Sequence, residues 1–518
     1  MKILETDLLI LGSGIAGSSA ALKAAESGAS VLIATPTGDP QESNTHYAQG
    51  GIIYRGESDS EASFSSDFQK AGGNLCNPAA LKQLWELGPK MVKEILIERL
   101  AVPFTKDASG KLHLTQEAAH SLPRILHVAD YTGKSVEEKF VKALASQPKI
   151  KFLTKATAID LLTLSHHSKN RLDMYQPQTC FGAYLYLQDS KEVAAVLAHE
   201  TILATGGLGG LYLHTTNPPG SRGDGFAMAY RAGARLMHME YVQFHPTALY
   251  LERGDRFLIS EAVRGEGGQL LNSEGEPFMK RYHKLGDLAP RDAVAKGIQA
   301  EMLRTKSACV YLDISHKDAA WIKNRFPVIY EHCLSVGIDI TKRPIPVVPA
   351  AHYECGGVAV DLEGRTTINR LWAAGEVSCT GAHGANRLAS SSLLEGLVWG
   401  TRAGDAAVRH TSENPLKFPE IESWKYETGT ADPDLIQQDW MTIRQTMWNY
   451  LGLLRNPKRM ERARNILTEL QDEIEQFYLR TELSDDLIGL RHGIQTALLV
   501  LHAARLNRDE AYQTLLAD

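Results

Sequence analysis

Gly12-Ser13-Gly14-Ile15-Ala16-Gly17 stands between the apolar run Leu8 to Leu11 and a small-residue stretch that ends at Gly28. The order reads strand, glycine turn, helix. A strand feeding a Gly-x-Gly-x-x-Gly turn lets the backbone approach a pyrophosphate closely, and the following helix aims its N-terminal amides and positive dipole end at that charge. This predicts a bound dinucleotide. The hexapeptide is a common one, so its surroundings decide. Ala20, Ala21, Ala24 and Ala25 make a helix slim enough to lie close on a sheet, and Ser30 to Ala34 supplies a second strand. The chain starts as a βαβ unit.

Its 518 residues exceed one compact core, and a rule of roughly one domain per 150 residues suggests about three. Charged residues are 22% and hydrophobic ones 43%, the balance of an ordinary globular protein, and a net charge of -6 gives no electrostatic reason for a nucleic-acid or anionic-membrane partner. No apolar run is seen to approach the ~20 residues that span a bilayer, and Glu5 and Asp7 interrupt the only signal-like stretch. The six cysteines (76, 180, 309, 333, 355 and 379) show no Cys-x-x-Cys pair, and His166-His167 has no ligand spacing around it. A soluble, cytoplasmic protein without metal is expected.

Beyond the second strand, Thr35-Pro36 stands near where many dinucleotide sites place an acid. Ser43-Asn44-Thr45-His46-Tyr47-Ala48-Gln49-Gly50-Gly51 is too polar for core and forms a second wall for the same ligand or a surface loop. Helices are expected over 80–100 and 136–145, and strands over 151–153 and 181–187 with a hydrophilic excursion at 166–178 between them. Glu117, His120, Arg124, His127 and Asp130 cluster between 112 and 134, either as a solvated face or as part of a site. An apolar run from Ala194 ends in Ala204-Thr205-Gly206-Gly207, and Asp224 opens another Ala-rich helix.

From 238 to 351 charge rises and small-residue helices thin out, which reads as an inserted domain. Leu371-Trp372-Ala373-Ala374-Gly375-Glu376 then repeats the strand-to-glycine pattern, followed by a small-residue helix. Past Phe418, apolar residues recur at helical spacing in three sets: Trp440, Ile443, Met447, Tyr450, Leu451 and Leu454; Met460, Ala463, Leu467, Leu470, Ile474 and Phe477; Leu487, Leu490, Ile494, Leu498 and Leu501. The expected architecture is α/β. A Rossmann-like domain (1–237 and 352–418) is interrupted by an α+β capping domain (238–351) and followed by a three-helix bundle (419–518).

Gly12 to Gly17, Asn44 to Gly51, Ala204 to Gly207 with Asp224, and Trp372 to Glu376 with Gly384-Ala385-Asn386-Arg387-Leu388-Ala389-Ser390-Ser391-Ser392-Leu393 occur in an order that resembles the succinate dehydrogenase and fumarate reductase flavoproteins. Within that superfamily the chain is most similar to the L-aspartate oxidases. The resemblance implies FAD, with contacts from Gly12, Ser13, Gly14, Ile15, Ala16 and Gly17, from Asn44, Thr45, His46, Tyr47, Ala48, Gln49, Gly50 and Gly51, and from Asp224, Glu376, Ser392 and Leu393. It also implies a site for a four-carbon dicarboxylate between the FAD and capping domains. By motif match its donors are Gln243, His245, Ser260, His352 and Arg387, with Arg291 as the catalytic arginine, Glu261 as its carboxylate partner and His245 beside them. Arginine's planar fork suits a carboxylate, and neutral histidine adds one donor.

Two features bear on which relative this is. Asn44 stands where respiratory succinate dehydrogenases carry the histidine that bonds covalently to FAD, so noncovalent FAD is expected. Glu117, in Gln-Glu-Ala-Ala-His-Ser, resembles an acid of the aspartate oxidases suited to the substrate's ammonium, which succinate lacks. Ala118-Ala119 replaces paired glycines, Ser260 a threonine and Thr35-Pro36 a Ser-Lys pair, while the C-terminus from Leu506 to Glu510 departs from the usual ending. The resemblance implies oxidation of L-aspartate to iminoaspartate, with O2 (giving hydrogen peroxide) or fumarate as acceptor and quinolinate synthase as the next enzyme of NAD biosynthesis. A soluble fumarate reductase or a succinate dehydrogenase flavoprotein is the rival reading.

Overall fold

The structure, a computed structural model, describes residues 1–117, 119–252 and 256–507. Ala118 and the stretch from Arg508 onward, two of the departures noted above, lie outside them. Strand β1 (Lys2–Leu11), helix α1 (Ile15–Glu26) and strand β2 (Val31–Ala34) form the expected βαβ unit, with Leu8 paired to Val31 and Leu11 to Ala34 in parallel. Helices α2 (Glu61–Ala71) and α3 (Pro78–Met91) follow, and α3 runs on as a π-helical stretch, Val92–Arg99. Helix α4 (Thr132–Ala145) precedes β3 (Ile150–Leu153), β4 (Ala156–Thr163), β5 (Cys180–Leu187) and β6 (Glu192–Leu203). The sheet order is β3-β2-β1-β6-β5-β4.

Strand β4 is an addition to the expected strands. Asp160 breaks its apolar pattern, and only the folded chain shows why that is tolerated: Arg231 and Arg491 reach the carboxylate at 2.7 and 3.1 Å. Residues 166–178 carry one helical turn ending at His167 and a 3-10 turn, Arg171–Tyr175.

Helix α5 (Asp224–Arg231) leads into the insertion, where β7 (Val242–Leu249), β8 (Gln269–Leu271), β9 (Val310–Asp313) and β10 (Ile345–Glu354) make an antiparallel sheet in the order β7-β10-β9-β8. Helix α6 (Arg291–Thr305) packs on it. This region buries its own cluster, including Leu249, Val263, Phe278, Ile298, Leu312 and Val347. Strands β7 and β10 also reach out of it, since Phe244, Ala351 and Tyr353 belong to a cluster of the first domain. The seam between domains therefore crosses these two strands.

Strand β11 (Leu371–Ala373) then returns to the first sheet and pairs with the end of β6, Leu371 against Thr201 and Ala373 against Leu203. On the other side of β6, Leu203 pairs with Leu11 of β1. Three parallel strands thus finish level. Gly12, the Ala204-Gly207 stretch and the Ala374-Glu376 turn emerge side by side at the carboxyl edge, where open α/β sheets bind ligands.

Helix α7 (Ser392–Glu413) lies across α1. Gly400 and Gly404 make that approach possible, because a Cβ on either would sit 2.3 or 2.4 Å from the carbonyl oxygens of Ala16 or Ala20. Helices α8 (Pro433–Leu451), α9 (Pro457–Tyr478) and α10 (Asp485–Leu506) form the C-terminal bundle, and the apolar residues named above are buried in it, apart from Tyr450, Leu454, Phe477 and Leu498, which are half-buried. Helix α10 corrects one expectation. By length and composition it could cross a membrane, but 67% of its apolar stretch is buried inside the protein. Its apolar character is that of an inner helix.

Candidate active site

One cavity runs along the carboxyl edge of the first sheet and under the insertion. Its first half is built by the three level strand ends. Gly12 adopts φ +111°, and a Cβ there would lie 2.1 Å from the Ala204 carbonyl oxygen, so only glycine lets β1 and β6 hand over to their turns this closely. The N-terminus of α1 faces the cavity, and the Thr45 hydroxyl accepts from the Ile15 amide at 3.0 Å. Gly17 serves packing instead, since a Cβ on it would meet the Gly12 carbonyl at 2.1 Å.

Asn44 ties the wall loop to two other segments. Its Nδ2 donates to Glu376 Oε2 at 2.6 Å, and its Oδ1 accepts from Ser221 at 2.9 Å. Glu376 Oε1 accepts from the Glu354 amide at 3.0 Å, and burial raises the Glu376 carboxyl to about 7. Asp224 pairs with Arg222 at 3.1 Å through Oδ2, while its Oδ1 is buried with no partner. Arg387 Nε is in the same state. Buried polar atoms are normally satisfied, so such orphans on a cavity wall fit groups whose partner is a ligand. His46 is the one residue of the 44–51 wall that does not line the cavity.

The second half lies at the seam. Arg387 stacks its guanidinium 4.5 Å over the Tyr353 ring, and its Nη1 donates to Ser392 Oγ at 3.1 Å, at the start of α7. His352 on β10 is held by Thr216 Oγ1, 2.7 Å from Nδ1, and His245 on β7 lies beside it with ring centroids 5.2 Å apart. Burial holds both imidazoles well below their ordinary range, reinforced for His352 by Arg387 and Arg291 and for His245 by Arg291 and His352 itself. Both rings are neutral donors or acceptors at pH 7. Ser260 completes this wall.

Arg291 begins α6 and donates from Nε to Glu261 Oε2. Arg264 Nη2 lies 3.5 Å from the other oxygen of Glu261. Burial pushes the Glu261 carboxyl up, but Arg291 and Arg264 outweigh it and hold the group below the usual range. Burial lowers the Arg291 guanidinium, and Glu261 and Glu117 more than reverse the effect. Glu117 lines the same cavity, accepting from Ser390 Oγ at 2.8 Å, and burial raises its carboxyl despite Arg291.

The structure thus brings Glu117, His245, Ser260, Glu261, Arg291, His352 and Arg387 around one cavity with the dinucleotide wall. Gln243 stands apart from it: its Nε2 donates to the Arg387 carbonyl at 2.8 Å and to Asn386 at 2.7 Å, so it fixes the backbone that presents Arg387. Arg264 and Ser390 are additions to the sequence reading. Ser390 sits inside a quoted motif and Arg264 lies four residues after Ser260, but only the fold shows which residues their side chains meet.

A family model described as an FAD binding domain matches residues 7–393. Fold and site define an FAD-dependent oxidoreductase. The chain is 43% identical over 511 residues to L-aspartate oxidase 1 of Ralstonia nicotianae, covering 98% of this chain and 93% of that one. It is 42% identical over 516 residues to the L-aspartate oxidase of Pseudomonas aeruginosa, covering 98% and 94%. The chain belongs to the L-aspartate oxidase family. Its fold also matches a mutant FrdA of E. coli quinol fumarate reductase with a TM-score of 0.87 and 28% identity, covering 98% of this chain and 90% of that one.

Proposed function

We propose a division of labour among the cavity residues for the flavin-dependent oxidation of L-aspartate to iminoaspartate, the reaction that places this chain in NAD biosynthesis. Arg387, His352, His245 and Ser260 clamp the two carboxylates; Arg291 adds positive charge close to the reacting carbon. Glu117 meets the substrate's ammonium. Bound FAD supplies the hydride acceptor. The three strand-end turns hold its phosphates and Asp224 and Glu376 its hydroxyls. Arg291 with Glu261 and Arg264 forms a row of alternating charge suited to moving a proton toward carbon when fumarate is the acceptor.

The observation that supports the substrate reading is that Glu117, a carboxylate, lines the same cavity as the cationic clamp. A dicarboxylate alone needs no acid there, and burial raises this carboxyl despite Arg291 and Arg387, so a cationic group on the ligand complements it. FAD is held noncovalently in this reading, because Asn44 uses both ends of its amide on Ser221 and Glu376, and His46 does not line the cavity. O2 is the aerobic acceptor, quinolinate synthase takes the product, and the six unpaired, buried cysteines suit the cytoplasm. Domain limits at 237/238, 351/352 and 418/419 complete the proposal. Purified protein should form hydrogen peroxide with L-aspartate in air and release all its flavin on denaturation. A yellow protein that makes no peroxide from L-aspartate overturns the substrate reading.

A further inference from the structure

The loop that carries Glu117 has an anchor of its own outside the cavity. Asp67 on α2 is 3% exposed, and its Oδ2 accepts from the amide and the hydroxyl of Ser121 at 2.8 Å each and from Arg124 Nη1 at 2.6 Å. Arg124 is fully buried and forks onto Asp59, with Nε 2.8 Å from Oδ2 and Nη2 3.0 Å from Oδ1. Its Nη1 also lies 3.4 Å from His120 Nδ1. Arginine can only donate, so His120 carries its proton on Nε2, which donates to the Ala389 carbonyl at 3.0 Å. Burial keeps that imidazole neutral, down to about 4. Ala389 precedes Ser390, the residue whose hydroxyl donates to Glu117. One cluster therefore grips both the loop and the segment that orients its carboxylate.

The loop needs gripping. Ala119 sits at φ +68°, the left-handed region that costs a residue with a Cβ about 1–2 kcal/mol. Strain of this kind persists only where the surroundings over-determine the backbone. A buried ion cluster is also a poor device for stability alone, since apolar side chains of similar volume serve as well without the desolvation cost. What ions add is direction.

We propose that Asp67, together with Asp59 and Arg124, is a positioning element that sets substrate choice by holding the Glu117 loop, without touching the substrate. This rests on the reading that Glu117 meets the ammonium group. Most of the carboxylate clamp comes from other elements, β7, β10, the start of α6 and Ser260; the segment before α7 is shared, but Asp67 and Ser121 hydrogen-bond only to the loop and its anchor, and it is His120 that meets that segment at Ala389. Loosening the cluster therefore separates two activities that share that clamp. Oxidation of L-aspartate depends on the loop; reduction of fumarate, which has no ammonium, does not.

The test compares FAD-loaded Asp67→Asn, Ser121→Ala and Glu117→Gln with the parent enzyme, measuring kcat/KM for L-aspartate and for fumarate with a reduced viologen dye. In Asp67→Asn and Ser121→Ala the ratio of the two constants should fall about 10- to 100-fold toward fumarate, chiefly through KM for L-aspartate, with FAD content unchanged. If Glu117→Gln shifts the ratio and neither anchor variant does, the anchor proposal is overturned while the substrate reading stands. If Glu117→Gln leaves the ratio alone, the substrate reading fails and takes the proposal with it. Should Asp67→Asn lose FAD or fold poorly, Ser121→Ala decides: an unchanged ratio there overturns the proposal.

Discussion

Glu376 accepts from Asn44 and from the Glu354 amide, and burial moves its carboxyl from 4.5 to about 7. A raised carboxyl binds its proton more tightly in the folded chain, so its contribution is complete below the unfolded pKa and is lost as pH rises toward 7. Apoprotein should lose about 3 kcal/mol between pH ~4.5 and 7 relative to Glu376→Gln, which has no proton to lose. Urea unfolding of the two apoproteins across that range checks this; parallel curves would refute it. At this scale the sequence spoke through residue types in ordered motifs. It marked Glu117, Arg291 and Arg387 but could not separate residues that line the cavity from those one step behind it. Gln243, Gly17 and His46 share motifs with lining residues, and the distinction depends on side-chain direction, which spacing does not encode.

Helix α7 owes its seat to Gly400 and Gly404, and a methyl group at Gly400 would press on the Ala16 carbonyl and Ser19 Oγ, each 2.3 Å away. Gly400→Ala should cost about 1–3 kcal/mol by overpacking. Because α1 presents its N-terminus to the cofactor wall, FAD should also dissociate faster. Denaturant titration and flavin fluorescence on dilution measure the two effects, and an unaltered off-rate with lowered stability would uncouple α7 from the site. Small residues in α1 and α7 were readable as helices lying close to something; which surfaces they met was not. Strand β4 escaped the reading altogether, because the partners that accommodate Asp160 come from residues 71 and 331 positions away.

The C-terminal bundle reaches the cofactor wall through α10, where Thr496 Oγ1 donates to the Gly223 carbonyl at 2.9 Å. Asp485, at the start of α10, pairs with Arg222 at 2.9 Å, and Arg222 in turn pairs with Asp224. Asp485→Asn should leave Arg222 to Asp224 alone, disturb the acid assigned to a flavin hydroxyl and weaken FAD retention about tenfold. Unchanged retention on gel filtration would show the bundle to be energetically separate. The α/β class, the insertion and the bundle were all legible, since composition and periodicity change along the chain. That three distant segments end level at one sheet edge was not legible from periodicity, because it depends on register.

In the proposed reading, one cavity combines a dicarboxylate clamp with an acid for the ammonium group beside the cofactor wall. The most direct measurement is the anaerobic flavin spectrum after separate mixing with L-aspartate, D-aspartate and succinate. Rapid bleaching by L-aspartate, with none by D-aspartate and little by succinate, is the predicted result. Faster bleaching by succinate than by L-aspartate would contradict it.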